Sequence, residues 1–254
     1  MATRKALVTG ASGGIGRVFA QRLAKEGYRV TAVARTEARL QELVAELGGE
    51  CRYLVADLST PEGMARVAED IGTESYDLLV NNAGVGVYGA FDDMSLEEHR
   101  ALIRLNCEAP MALAYAFLGK AKRGDALINV ASMLGFFGLP TLSVYSATKA
   151  FVRSFTETLW FEQKARGVYV MALCPGPTSS NFHDASRGTA GNRPSAAISQ
   201  TPEQVVDEAM KALAARRKPT VLTGSSARTL VSVTNRFLSL KQAVMMMGRM
   251  TKNY

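Results

Sequence analysis

Cysteine is scarce in this 254-residue chain: Cys51, Cys107 and Cys174 are the only three, an odd number with no CxxC pair. A disulfide framework and a cysteine-based zinc site are thereby excluded, and a reducing cytoplasm is the simplest setting. Histidine is scarcer still, with only His99 and His183 and no acidic cluster at ligand spacing around either, so no metal is expected. Long apolar runs are missing too. The opening MATRKALVTG breaks at Gly10, too soon for a secretory or spanning segment. Residues 126–148 carry no charge, but Asn129, Ser132, Gly135, Gly138, Pro140 and Ser143 interrupt them, which reads as a buried strand followed by a loop. Acidic residues stop at Glu208, after which nine basic ones follow, while the rest of the chain holds 21 basic against 23 acidic residues. Positive charge confined to one end points to a solvated basic face or to an anionic partner such as a membrane surface or a phosphorylated carrier. A nucleic-acid partner is not expected.

What is present is the composition of a globular domain, 47% hydrophobic and 21% charged, of a size that one core can fill. Short apolar runs at 5–9, 29–34, 52–55, 78–80, 126–131, 169–173 and 220–222 alternate with helical spacing at 15–26, 37–47, 64–71, 97–118, 145–165 and 202–215. Strand, helix, strand at this pitch predicts right-handed crossovers and a parallel sheet covered on both faces. The expected fold is a doubly wound, Rossmann-like α/β domain over 1–225, with a substrate loop at 176–201 and a helical extension at 226–254.

The first strand runs into Gly10, Ala11, Ser12, Gly13, Gly14, Ile15 and Gly16 and then a helix. Glycines there let the backbone approach a pyrophosphate, and the helix end offers it unpaired N–H groups. The spacing is G-x-x-x-G-x-G, and with it the chain resembles the short-chain dehydrogenase/reductase family over roughly 4–224. Further motifs agree in order: Asp57-Leu58 after the third strand, Asn81-Asn82-Ala83-Gly84 after the fourth, Ser132 ending the fifth, Tyr145-x-x-x-Lys149, and Pro175-Gly176-Pro177-Thr178 after the sixth. The resemblance implies that Gly10, Ser12, Gly13, Gly14, Ile15, Gly16, Asp57, Leu58, Asn82, Ala83, Gly84, Tyr145, Lys149, Pro175, Gly176 and Thr178 hold a dinucleotide. The second strand ends in Val33-Ala34-Arg35 without a carboxylate; Arg35 suits a 2′-phosphate, so the expected cofactor is NADP(H).

Reduction of a carbonyl needs a proton donor, and a phenol serves only if its anion is stabilised. Tyr145 and Lys149 are spaced i, i+4, on one helix face, so Lys149 is expected to lower the Tyr145 pKa and to reach the nicotinamide ribose. Ser132 would hold the substrate carbonyl. The resemblance adds Asn106 as a fourth catalytic member, anchoring a proton-relay water. Cys174 reads as packing rather than a nucleophile. Phe136, Phe137, Leu139 and Leu142 would make an apolar pocket wall, while Phe182 and His183 lie in the mobile-looking loop. The expected activity is NADPH-dependent reduction of an apolar ketone or aldehyde, or the reverse. Alternatives are a 3-oxoacyl-thioester reductase and a non-catalytic NADP-binding sensor. The resemblance implies a homodimer or homotetramer. In the extension, Leu230, Val233, Phe237, Leu240, Val244 and Met247 recur at helical spacing, with Val231, Leu238 and Met245 as a second stripe. Such a helix would close over the pocket, pair with another subunit, or place a cytoplasmic protein on the surface of a membrane.

Overall fold

A computed structural model describes residues 3–179 and 198–250. Seven strands, β1 (Lys5–Thr9), β2 (Arg29–Ala34), β3 (Arg52–Val55), β4 (Leu78–Asn81), β5 (Ala126–Val130), β6 (Tyr169–Cys174) and β7 (Thr220–Leu222), form one parallel sheet in the order β3-β2-β1-β4-β5-β6-β7. The chain doubles back between β1 and β4, so a crevice opens beyond their carboxyl ends, where open α/β sheets bind ligands.

Successive strand residues face opposite sides, and β1 feeds two cores. Ala6 and Val8 join Phe19, Leu23, Leu40, Leu43 and Val205 on one face; Leu7 joins Met64, Val67, Ile71, Leu113 and Phe117 on the other. The first layer comes from α1 (Gly14–Lys25), α2 (Glu37–Leu47) and α7 (Pro202–Ala215), and the second includes α3 (Pro61–Thr73), α5 (Ala109–Lys120) and α6 (Ser143–Glu162). Caps set the boundaries where they are present. Thr60 accepts from the Gly63 N–H ahead of α3, and Thr201 forms a capping box with Gln204 at α7.

Two helical expectations are corrected. The single helix expected at 97–118 is α4 (Leu96–Ile103), a π-helical turn (Arg104–Glu108) and α5. Pro110 has no N–H to donate back to the Asn106 carbonyl, and its ring crowds that carbonyl, so a regular helix cannot run through. The single amphipathic extension expected after 225 is two helices, α8 (Ser225–Arg236) and α9 (Leu240–Met250). The break resets the helical phase. Ala227, Val231, Thr234, Ala243 and Met247 turn inward, whereas Val233, Phe237, Leu240 and Val244 of the expected seam are exposed.

Candidate active site

Both ends of the expected dinucleotide cradle are built by close backbone approach. Gly10 and Gly14 have φ of +66° and +53°, a region that side chains disfavour. A Cβ on Gly16 would collide with the Gly10 carbonyl and the Asn82 amide. Asn82 locks the loop to β4, its Nδ2 donating to the carbonyls of Thr9 (3.0 Å) and Gly10 (3.3 Å). The Thr9 hydroxyl accepts the N–H groups of Asn82 (2.9 Å) and Ala83 (3.0 Å). Thr9 was not among the expected residues, although a strand-ending Thr beside such a loop is a readable signal.

The cradle fits an anion. Gly13, the residue before α1, is extended, offers no side-chain cap to the first turn, and has nothing within 4 Å of where a Cβ would stand. Among the described residues no side chain caps the N–H groups of Gly14, Ile15 and Gly16 at that helix end. Ser12 lies in the turn before it. Arg35 is exposed at the end of β2 and forms no ion pair among the described residues. Asp57 Oδ1 accepts from the N–H and hydroxyl of Ser59 (2.9 and 2.7 Å), fixing the turn in which Leu58 is buried.

At the carboxyl ends of β5 and β6 the catalytic candidates meet. Ser132 follows β5; its Oγ accepts the Leu134 N–H (3.1 Å), leaving its own O–H to pair with the Tyr145 hydroxyl. Tyr145 and Lys149 lie one turn apart on α6, both buried, with Lys149 Nζ 5.7 Å from the Tyr145 ring centre. Nζ donates to the Val130 carbonyl (3.0 Å). Gly84 completes the floor, since a Cβ there would stand 3.1 Å from Asn106 Oδ1 and 3.2 Å from Lys149 Nζ. Asn106, in the π turn, is 1% exposed. It receives the Val85 N–H (3.1 Å) and donates to the Val85 carbonyl (3.0 Å) and Thr148 Oγ1 (3.1 Å).

The expected pKa logic needs correction. Burial pushes the Tyr145 phenol up, and the opposing hydrogen bond comes from Ser132 rather than from Lys149. Burial lowers the Lys149 ammonium to about 8. Lys149 Nζ donates to a backbone carbonyl and lies 5.7 Å from the ring centre, and burial rather than Lys149 sets the direction of the Tyr145 shift.

Pro175, Gly176 and Thr178 close the far side. The Pro175 carbonyl accepts the Met133 N–H (2.9 Å), Thr178 Oγ1 donates to the Gly176 carbonyl (2.9 Å), and a Cβ on Gly176 would meet Ala227 Cβ at 2.8 Å. Leu142 and Tyr145 pack with Val85, Val87, Tyr88, Leu134 and Leu139 into an apolar wall, while Phe136 and Phe137 pack instead around Met133 and α8. Tyr88, whose phenol bears electrostatically on Tyr145, was missed because it lies in an irregular segment with no motif. Phe182, His183 and most of the loop 176–201 lie outside the described residues. His99 stacks on Phe91 (4.6 Å between ring centres), with Nε2 2.9 Å from the Phe91 carbonyl. Among the described residues no group of His, Cys, Asp and Glu is placed to hold a metal ion. Cys174 is fully buried, and burial pushes its thiol up to about 12, as packing requires.

Residues 4–190 match the family model described as short chain dehydrogenase. A 7β-hydroxysteroid dehydrogenase of Mediterraneibacter gnavus is 34% identical over 220 residues, covering 82% of this chain and 81% of the relative. A ketoacyl reductase of Nostoc sp. is 33% identical, covering 82% and 74% respectively. Among solved structures, a short-chain dehydrogenase from Sphingobium yanoikuyae in complex with NADPH superposes with a TM-score of 0.80 at 30% identity, covering 89% of this chain and 90% of that one.

Proposed function

The chain belongs to the short-chain dehydrogenase family and is an oxidoreductase of CH–OH and C=O groups; from that premise we propose that it uses NADP(H) to interconvert an apolar ketone or aldehyde and its alcohol. The observation that carries this reading is the paired hydroxyls of Ser132 and Tyr145 on a buried Lys149, beside the glycine cradle.

The backbone of Gly13 to Gly16 would hold the pyrophosphate, Arg35 the 2′-phosphate, Asp57 and Leu58 the adenine side, and Asn82 to Gly84 with Pro175 to Thr178 the nicotinamide half. When bound, NADPH supplies the hydride. Ser132 and Tyr145 orient the carbonyl oxygen between their hydroxyls, and Tyr145 gives its proton to that oxygen as negative charge develops there. Lys149 Nζ holds a positive charge beneath the phenolate that remains. Asn106 fixes Val85 and Thr148, and through them the floor of the site. The wall of Leu134, Leu139, Leu142 and Val87 suits an apolar substrate, in line with the steroid named in one relative. The ketoacyl reductase relative, together with the basic α8 and α9, favours a 3-oxoacyl thioester as second substrate class.

Three free cysteines suit a cytoplasmic enzyme, and no helix among the described residues is long and apolar enough to cross a membrane. A second copy of the chain would cover the exposed Met111, Tyr115, Phe151 and Phe161 on α5 and α6. The test is NADPH oxidation across steroid ketones, 3-oxoacyl thioesters and simple aldehydes. Tyr145→Phe is expected to abolish turnover while NADPH still binds, and Arg35→Asp to shift preference toward NADH. Undiminished turnover by Tyr145→Phe would refute the role of the phenol.

A further inference from the structure

The corner joining α8 to α9 reads Arg236-Phe237-Leu238-Ser239-Leu240-Lys241. Phe237 is 76% and Leu240 82% exposed. The corner is held in place: the Gln242 N–H donates to Ser239 Oγ (3.3 Å) and the Ser239 N–H to Gln242 Oε1 (2.8 Å), starting α9 at a defined point. Val233, four residues before Phe237, and Val244, four after Leu240, are exposed as well and extend the apolar strip along both helices.

The charge along these two helices is of one sign. Arg236, Lys241 and Arg249 are exposed and form no ion pair among the described residues. Other basic residues of the carboxy-terminal part are placed elsewhere. Arg228 is paired to Glu208 at 2.7 Å, and Arg216, which donates to the Gly124 carbonyl, lies with Arg217 and Lys218 at the amino-terminal edge of the sheet, before β7. A solvated basic face has no use for an outward Phe and Leu. A second copy meeting this corner symmetrically would bring like charges together. An apolar wedge flanked by unpaired cations is complementary to a bilayer with anionic headgroups.

We propose that the α8–α9 corner docks the protein on an anionic lipid surface, with Phe237 and Leu240 entering the boundary between headgroups and acyl chains and Arg236 and Lys241 at the lipid phosphates. The inner faces of the same helices lie against the substrate side. Ala227 and Val231 pack on Met133, which follows Ser132, and a Cβ on Gly248 would stand 3.7 Å from Pro140, in the segment between Ser132 and Tyr145. These contacts join the docked helices to the substrate side, and the consequence proposed with the docking is that a carbonyl compound dissolved in lipid reaches Tyr145 without crossing bulk water. This second consequence rests on the apolar-substrate reading; the docking does not.

The test is co-sedimentation of the full chain with phosphatidylcholine vesicles, with and without phosphatidylglycerol. Wild type is expected to bind the anionic vesicles about ten-fold more than the neutral ones and to be released by high salt. The double variant Phe237→Ser, Leu240→Ser is expected to lose about ten-fold in binding at low salt, and Arg236→Gln, Lys241→Gln to lose the preference for anionic lipid. NADPH binding shows in each case that the variant is folded. Wild type left in the supernatant with both vesicle types overturns the proposal, as does a Phe237, Leu240 variant that sediments like wild type. So does self-association of the wild type that depends on Phe237 and occurs without vesicle binding, which would make the corner a contact between copies. Turnover of a ketone carried in the vesicles reads the delivery step separately.

Discussion

Lys149 is a buried ammonium with one backbone carbonyl as its hydrogen-bond partner, and that has a consequence in solution. Burial disfavours its charged form and lowers it to about 8. On the proposed mechanism Lys149, charged below that pH, would support the phenolate that Tyr145 leaves behind; above it that support would be lost while the phenol, pushed up by burial, stays protonated. The rate of carbonyl reduction is therefore expected to be level on the acid side of about 8 and to fall above it. A pH profile of kcat/KM that rises through this range would contradict the assignment. The pair itself was legible in the sequence because helical periodicity places i and i+4 together whatever surrounds them. Its electrostatics were not, because they depend on burial depth and on Nζ turning to Val130, a residue 19 positions away. Tyr88 escaped because its segment is irregular and carries no motif.

Asn106 shows what a secondary-structure element does for a side chain. Pro110 interrupts the helix four residues on, the π turn takes up the mismatch, and the Asn106 amide lands where it can satisfy both backbone groups of Val85. Asn106→Ala would leave the Val85 N–H and carbonyl without that partner, which costs about 1–3 kcal/mol for a buried polar group. The expected outcome is a lower denaturant midpoint of that order together with reduced kcat, since the floor beside Gly84 and Lys149 loosens; an unchanged midpoint and kcat would remove Asn106 from the account. The interruption was readable in principle, because proline inside a helical pattern is a break signal. The apolar spacing of 97–118 outweighed it. The carboxy-terminal extension was misread likewise: spacing continued through Phe237 to Ser239 as if the helix did, whereas α9 restarts at a capped Ser239, and of the expected seam only Met247 is buried.

For the whole molecule, alternation of strand and helix sufficed to give the parallel sheet, because crossovers that return to the same edge admit few alternatives. The strand order also brings the glycine cradle, Asn82 and Ser132 to one edge although they are distant in sequence. Assembly was beyond the sequence, since surface residues carry no periodic signal of their partner. Tyr115 and Phe161 are 85% and 72% exposed, and if a second copy covers them, light scattering should give a mass at least double the 27.3 kDa of one chain. Tyr115→Glu with Phe161→Glu should return it to a single chain; a wild type that is monomeric at high concentration would contradict this. The central claim is hydride transfer from NADPH to a carbonyl carbon, and isotope transfer tests it most directly. With NADPH deuterated at C4 of the nicotinamide, one face at a time, and the best ketone of the panel, mass spectrometry is expected to find deuterium on the carbinol carbon from one face only. Alcohol formed without deuterium from either face, or no alcohol while NADPH binds tightly, would contradict it.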